Sequence, residues 1–154
     1  MKAIETALSL TQAYKLGIER FEKMLGDEFS KAIELMNKTN EHIIICGMGK
    51  SGLVGRKISS TLASTGTPSI FLHPAEAIHG DLGKVQKKSI VLLISYSGET
   101  EEIIALIPAF KRLNVTIVAL TGVKDSTLAS KADIVLDTSV DREACPLNLA
   151  PTTS

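Results

Sequence analysis

Two short stretches of the chain carry the residue types that hold a phosphate. The first, Cys46-Gly-Met-Gly-Lys-Ser-Gly52, follows the apolar run Ile43-Ile-Ile45 and reads as a strand turning into a helix. Glycines there permit close backbone approach, and the free N–H groups of a helix start favour an anion. The second, Ser95-Tyr-Ser-Gly-Glu-Thr-Glu-Glu102, places hydroxyls at Ser95, Ser97 and Thr100 around one glycine at the opening of another helix. Three hydroxyls exceed what capping requires and converge donors on a single phosphate. An ordinary Ser/Thr cap is the alternative, and Glu99 and Glu101 read as acidic residues that complement the helix dipole. No cation lies in this second stretch.

A nucleoside triphosphate, a dinucleotide and a sugar phosphate are the three ligands the first stretch could serve. The triphosphate loop needs G-x-x-x-x-G-K-[ST], but the position five before Gly49 is Ile44, inside the strand, so that reading fails. The dinucleotide pattern G-x-G-x-x-G is met by Gly47, Gly49 and Gly52. It also wants an acidic residue closing the second strand, and that strand runs into Phe71-Leu-His-Pro74, with Glu76 only in the loop beyond. A monophosphate on a small polar body fits better, because two short turns leave few apolar residues to sandwich a base.

The elements that must position these turns follow from hydrophobic periodicity. Ile4, Leu8, Thr11, Tyr14, Ile18, Phe21 and Leu25, then Phe29, Ile33 and Met36, have the spacing of two helices with one buried face. Gly26 should stop the first and Asp27 cap the second, which runs to about Lys38. The long first helix carries no chemistry and serves either core packing or a partner-subunit contact. Five runs rich in β-branched residues follow, Ile43–Cys46, Ser69–Leu72, Ile90–Ile94, Val115–Leu120 and Ile134–Leu136. Their continuous apolar character describes parallel strands buried on both faces. Helices are expected over Gly52–Ser64, over about Thr100–Leu113 with a kink at Pro108, and briefly after Ser126. The fold class is therefore α/β, a doubly wound, parallel, five-stranded sheet of flavodoxin-like order with N-terminal helices. In that order the first and third strands are neighbours, so both glycine turns should face one crevice. The end, Ala150-Pro-Thr-Thr-Ser154, reads as the beginning of a further helix, which leaves the fifth strand expected to lack a covering element.

Composition narrows the function classes. A chain of 154 residues makes one domain, residues 1–154, with roughly two-thirds of its surface buried on folding. Seventeen basic residues balance seventeen acidic ones, so no strong field draws it to nucleic acid or to an anionic membrane. The absence of Trp also weakens a base-stacking role. No apolar run approaches the roughly 18 residues of a spanning helix, and a secretion signal is not evident, so a cytoplasmic protein is expected. Cys46 and Cys145 fit no metal-binding pattern and read as free thiols. His42, before the first strand, reads as exposed and idle.

Together the motifs resemble the sugar isomerase (SIS) domain, and within it the arabinose-5-phosphate isomerase family that feeds Kdo synthesis for lipopolysaccharide or capsule. The resemblance rests on G-M-G-K-S-G at 47–52, A-S-T-G-T-P at 63–68, H-P-A-E-A-I-H-G-D-L-G at 73–83, S-Y-S-G-E-T-E-E at 95–102 and E-A-C-P-L-N-L-A-P-T-T-S at 143–154. It implies an aldose-ketose isomerisation of D-ribulose 5-phosphate and D-arabinose 5-phosphate without a cofactor. It further implies catalytic roles for Lys50, Glu102 and Glu143, substrate contacts from Gly66, Thr67, His73 and His79, and phosphate contacts from Ser51, Ser95, Ser97 and Thr100. His73 is also where the resemblance allows an inhibitory zinc. A homo-oligomer, tetramer or dimer, is implied because such domains build their sites across subunits.

The chemistry asks for such groups. A carbon-bound proton must be removed, an enediolate stabilised and the proton returned to the adjacent carbon. Glu102 is assigned as base, Lys50 to the developing oxyanion or the phosphate, and Glu143 to proton transfer or a hydroxyl contact. The structural alternatives are a solvated Lys50 on a first helical turn, a helix-surface Glu102, an ion-paired Glu143 and a satisfied loop His79. Family members continue into a further helix and an S-H-P-G-type segment whose histidine is implicated in catalysis, and long members add CBS domains. The chain ends before both. The alternative functions are a non-catalytic module that binds a sugar phosphate, as SIS domains of transcription regulators do, and an inactive truncated remnant.

Overall fold

The computed structural model describes residues 2–154. Two helices, α1 (Lys2–Met24) and α2 (Asp27–Lys38), precede the alternating part of the chain. This comprises β1 (Ile43–Gly47), α3 (Gly49–Ser64), β2 (Ser69–Leu72), α4 (Pro74–Ile78), a 3-10 turn (Asp81–Lys84), β3 (Ile90–Ile94), α5 (Glu101–Arg112), β4 (Thr116–Thr121), α6 (Thr127–Lys131) and β5 (Ile134–Asp137). All four strand pairings are parallel and the order is β2-β1-β3-β4-β5. Successive strand residues point to opposite faces, so each apolar strand feeds two cores. Ile44, Cys46, Val91, Leu93, Ile117 and Ala119 pack with Ile103, Leu106, Phe110 and Leu128 from α5 and α6. Ile43, Ile45, Ile90, Leu92 and Val118 pack with Ala32 and Met36 from α2 and with Ile58 and Leu62 from α3. The expected doubly wound sheet is present, and β1 and β3 lie side by side in the register Cys46 to Leu93 and Gly47 to Ile94.

Several boundaries differ from expectation, each for a local reason. α3 starts at Gly49, three residues before Gly52, because the left-handed φ of +56° at Gly49 turns the chain straight out of β1. Asp27 is the first residue of α2, with extended Gly26 before it, so its carboxylate complements the dipole and makes no capping hydrogen bond. α5 runs on through Pro108, which lies on its exposed side. The short α4 and the 3-10 turn were not expected as elements, although Pro74 at the first position of α4 is a helix-start residue. Beyond Ile134, β5 is only half-buried.

α1 departs most. Only Ala13 of this 23-residue helix is buried, while Ile4, Leu8, Ile18, Phe21 and its follower Leu25 are exposed, Ile4 at 68% and Leu8 at 64%. The apolar stripe is real, but the protomer does not cover it.

Candidate functional site

The two glycine turns leave the carboxyl ends of adjacent strands, and the physical chemistry of each can be followed atom by atom. In the first, the backbones of Gly47 and Gly52 nearly touch: a Cβ on Gly52 would stand 2.6 Å from the Gly47 carbonyl oxygen. These glycines therefore let α3 begin hard against β1. Met48 precedes α3 and no side chain caps it, so the first N–H groups of the helix have no intrahelical partner.

In the second turn, Ser95 is buried and its Oγ lies 2.8 Å from Thr100 Oγ1 and accepts the Gly98 N–H at 3.1 Å. Gly98 adopts φ +66°, and a Cβ there would collide with the side chain of Ser126. The exposed Ser97 accepts the Glu99 N–H through its Oγ at 3.2 Å. Glu99 complements a different helix from the one expected, its Oε1 accepting the Thr127 N–H at 2.6 Å at the start of α6. Thr100 flanks α5 without a side-chain cap bond, so a second long helix presents free N–H groups beside the first.

Between these turns and the segment after β5 lies a cleft of about 460 Å³. Ser51, Ser97, Thr100 and Glu143 line it, which gathers four of the expected site residues from three different parts of the chain. Tyr96, Asp141, Arg142 and Asn148 also line it. Sequence reasoning missed them. Arg142 brings the wall a cation that the second turn lacks, and no local pattern marks it. Tyr96 had a signal, since it sits inside the serine motif, and its hydroxyl accepts the Val140 N–H at 3.3 Å across the cleft.

Glu143 is held closely. Its Oε2 accepts the N–H groups of Thr152 at 2.7 Å and Thr153 at 2.6 Å, and its own N–H donates to Asn148 Oδ1 at 2.8 Å. Partial burial alone would raise its carboxyl, but hydrogen bonds from Ser154, Thr153 and Thr152 outweigh this and hold it at about 2. It is an ionised acceptor at neutral pH.

The other expected residues are spread around this cleft or away from it. Lys50 is exposed on the first turn of α3, and Glu102 is half-buried on the first turn of α5. His73 follows β2 at the same end of the sheet, with Nδ1 buried and unpartnered, and His79 is exposed at the end of α4. Gly66 and Thr67 precede β2 and so stand at the opposite end of the sheet from the cleft. His73 is a single imidazole, and among the described residues no group of three His, Cys, Asp or Glu side chains is disposed to hold an ion with it. Both cysteines are free, and burial pushes the Cys46 thiol up to about 12, which makes it an inert core residue. Among the described residues no helix is long and apolar enough to cross a membrane.

Known proteins resemble this chain. Over 130 residues the chain is 55% identical to arabinose 5-phosphate isomerase KdsD of Pseudomonas aeruginosa, which takes in 84% of this chain and 40% of that protein. It is 54% identical over 127 residues to arabinose 5-phosphate isomerase KpsF of Escherichia coli O6:H1, or 82% of this chain and 39% of that one. The chain thus spans about 40% of the length of these curated relatives. The structure of c3406 of E. coli CFT073 in complex with arabinose 5-phosphate superposes with a TM-score of 0.88 at 36% identity, covering 99% of this chain and 81% of that one. The SIS domain matches residues 35–154, from the latter part of α2 through every strand and both glycine turns to the segment that carries Glu143, and the chain belongs to that family.

Proposed function

We propose that the cleft binds a five-carbon sugar phosphate and that the protein interconverts D-ribulose 5-phosphate and D-arabinose 5-phosphate through an enediolate, supplying the precursor of Kdo for lipopolysaccharide or capsule. The observation that carries this reading is the pairing of two long helices, each without a side-chain cap, at the ends of adjacent strands, with Ser51, Ser97 and Thr100 on the cleft they flank. That arrangement suits one phosphate. The relatives named arabinose 5-phosphate isomerase and the related structure complexed with arabinose 5-phosphate support the choice of sugar.

In this reading Glu102, on the first turn of α5, is the base that takes the carbon-bound proton and returns it to the neighbouring carbon. Lys50, exposed on α3, swings to the oxyanion that develops. Of the two roles open to Glu143, proton transfer and a hydroxyl contact, the hydroxyl contact suits a carboxylate already anchored by the Thr152 and Thr153 N–H groups. His73, at the same end of the sheet, is the candidate for a contact to a substrate hydroxyl. A homo-oligomer, dimer or tetramer, accounts for the uncovered stripe of α1, and it gives Gly66 and Thr67 a route into the site of a neighbouring protomer.

The test is conversion of ribulose 5-phosphate to arabinose 5-phosphate by the purified chain, with a thermal-shift titration of both sugars alongside. Turnover that Glu102→Gln abolishes while binding persists is the expected result. Stabilisation by the sugars with no turnover would favour a binding module, and a folded sample that responds to neither sugar would overturn both.

A further inference from the structure

We propose that α1 is a brace that sets the position of Glu143 in the cleft, acting through Gly17 and Arg20 as positioning residues. Residues 138–154 form no helix or strand, so their placement depends on individual contacts. Arg20 reaches across from α1 and donates from Nε to the Ser139 carbonyl at 3.0 Å, from Nη2 to Ser139 Oγ at 2.9 Å and from Nη1 to Asp141 Oδ1 at 2.5 Å. A planar guanidinium that makes three bonds in one fork fixes direction as well as distance. Asp141 is two residues before Glu143, so this grip holds the incoming side of the loop.

The outgoing side is held one helical turn earlier on the same face. A Cβ on Gly17 would stand 2.6 Å from Thr153 Cγ2. Thr153 has little freedom to retreat, because its Oγ1 accepts the Ala144 N–H at 2.9 Å while its own N–H donates to Glu143 Oε2 at 2.6 Å. Glycine is unfavourable inside a helix, where it costs backbone entropy and contributes no packing. Its presence in the middle of α1 is explained by this approach. The helix thus touches the loop on both sides of Glu143, at the two places that decide where the carboxylate lies.

The catalytic consequence rests on the isomerase reading, whereas the coupling itself does not. The experiment is a carbon-13 NMR titration of the Glu143 carboxyl in the purified chain, with circular dichroism to confirm folding of each variant. In the parent, Glu143 should titrate at about 2. Gly17→Ala and, independently, Arg20→Ala should each raise that midpoint by about one pH unit or more, towards its ordinary value of 4.5. Adding Thr153→Ser to Gly17→Ala removes the clashing methyl but keeps the hydroxyl and the N–H, and should restore the parent midpoint. The brace is overturned if the parent carboxyl titrates at its ordinary value, if neither single variant moves it, or if the double variant fails to restore it. Absence of isomerase turnover in a parent that shows the coupling would remove the proposed function and leave the brace standing.

Discussion

Ser95 and Ser97 carry the same hydroxyl two positions apart, and the fold gives them opposite duties. Ser95 is buried and committed to Thr100 Oγ1 and the Gly98 N–H, so Ser95→Ala should cost about 1–2 kcal/mol in urea unfolding by leaving those groups short of a partner. Ser97 lines the cleft and is exposed, so Ser97→Ala should change stability by less than about 0.5 kcal/mol while weakening sugar-phosphate binding. Both serines read from the sequence as phosphate contacts. Which of them the turn would use for itself was not legible, because that depends on the path of the backbone between them. Glu143 shows the same limit, since the donors that hold it come from nine and ten residues further along the chain. Its carboxyl lies below its ordinary value of 4.5 in the folded state, so the stability it contributes is present above that value and is lost as pH falls from about 4.5 to about 2. Allowing for solvent screening, the loss is on the order of 1–2 kcal/mol. Glu143→Gln should flatten the acid limb of a stability-against-pH profile measured by urea unfolding.

At the scale of elements, the strands were legible because buried parallel strands are runs of β-branched residues, and β2 and β3 fall where those runs lie. α4 and the 3-10 turn escaped notice because four or five residues cannot establish a helical period. α1 was legible as an amphipathic helix, but periodicity reports that a face packs and not what it packs against. With that face exposed in the protomer, Leu8→Ser with Ile18→Ser should change monomer unfolding by less than about 1 kcal/mol, since both side chains are already in water. The same pair of changes should shift the sedimentation coefficient towards that of a monomer. A large loss of stability with an unchanged sedimentation coefficient would mean that the stripe packs within one chain.

For the molecule as a whole, the decisive fact is that β1 and β3 are neighbours, because it converts two separated sequence motifs into one cleft. The flavodoxin-like order was readable from the strand and helix succession, and the topological switch point follows from it. The position of the segment after β5 was not readable, yet it supplies the opposite wall with Asp141, Arg142 and Glu143. A site divided in this way between two helix starts and an irregular segment should be stabilised by whatever bridges them. A ligand at 100 times its Kd adds about 2.7 kcal/mol to the unfolding free energy, which for a chain of this size raises Tm by roughly 5–10 °C. In the proposed reading arabinose 5-phosphate would meet both walls, its phosphate at the helix starts and its hydroxyls at Glu143, whereas inorganic phosphate would meet only the first. The sugar phosphate should therefore saturate its Tm shift at a far lower concentration than phosphate does. Ser97→Ala should weaken both ligands, while Glu143→Gln should weaken the sugar phosphate and leave phosphate unchanged. Equal weakening of the two by Glu143→Gln would mean that the carboxylate shapes the phosphate pocket itself, and the division of labour between the two walls would have to be redrawn.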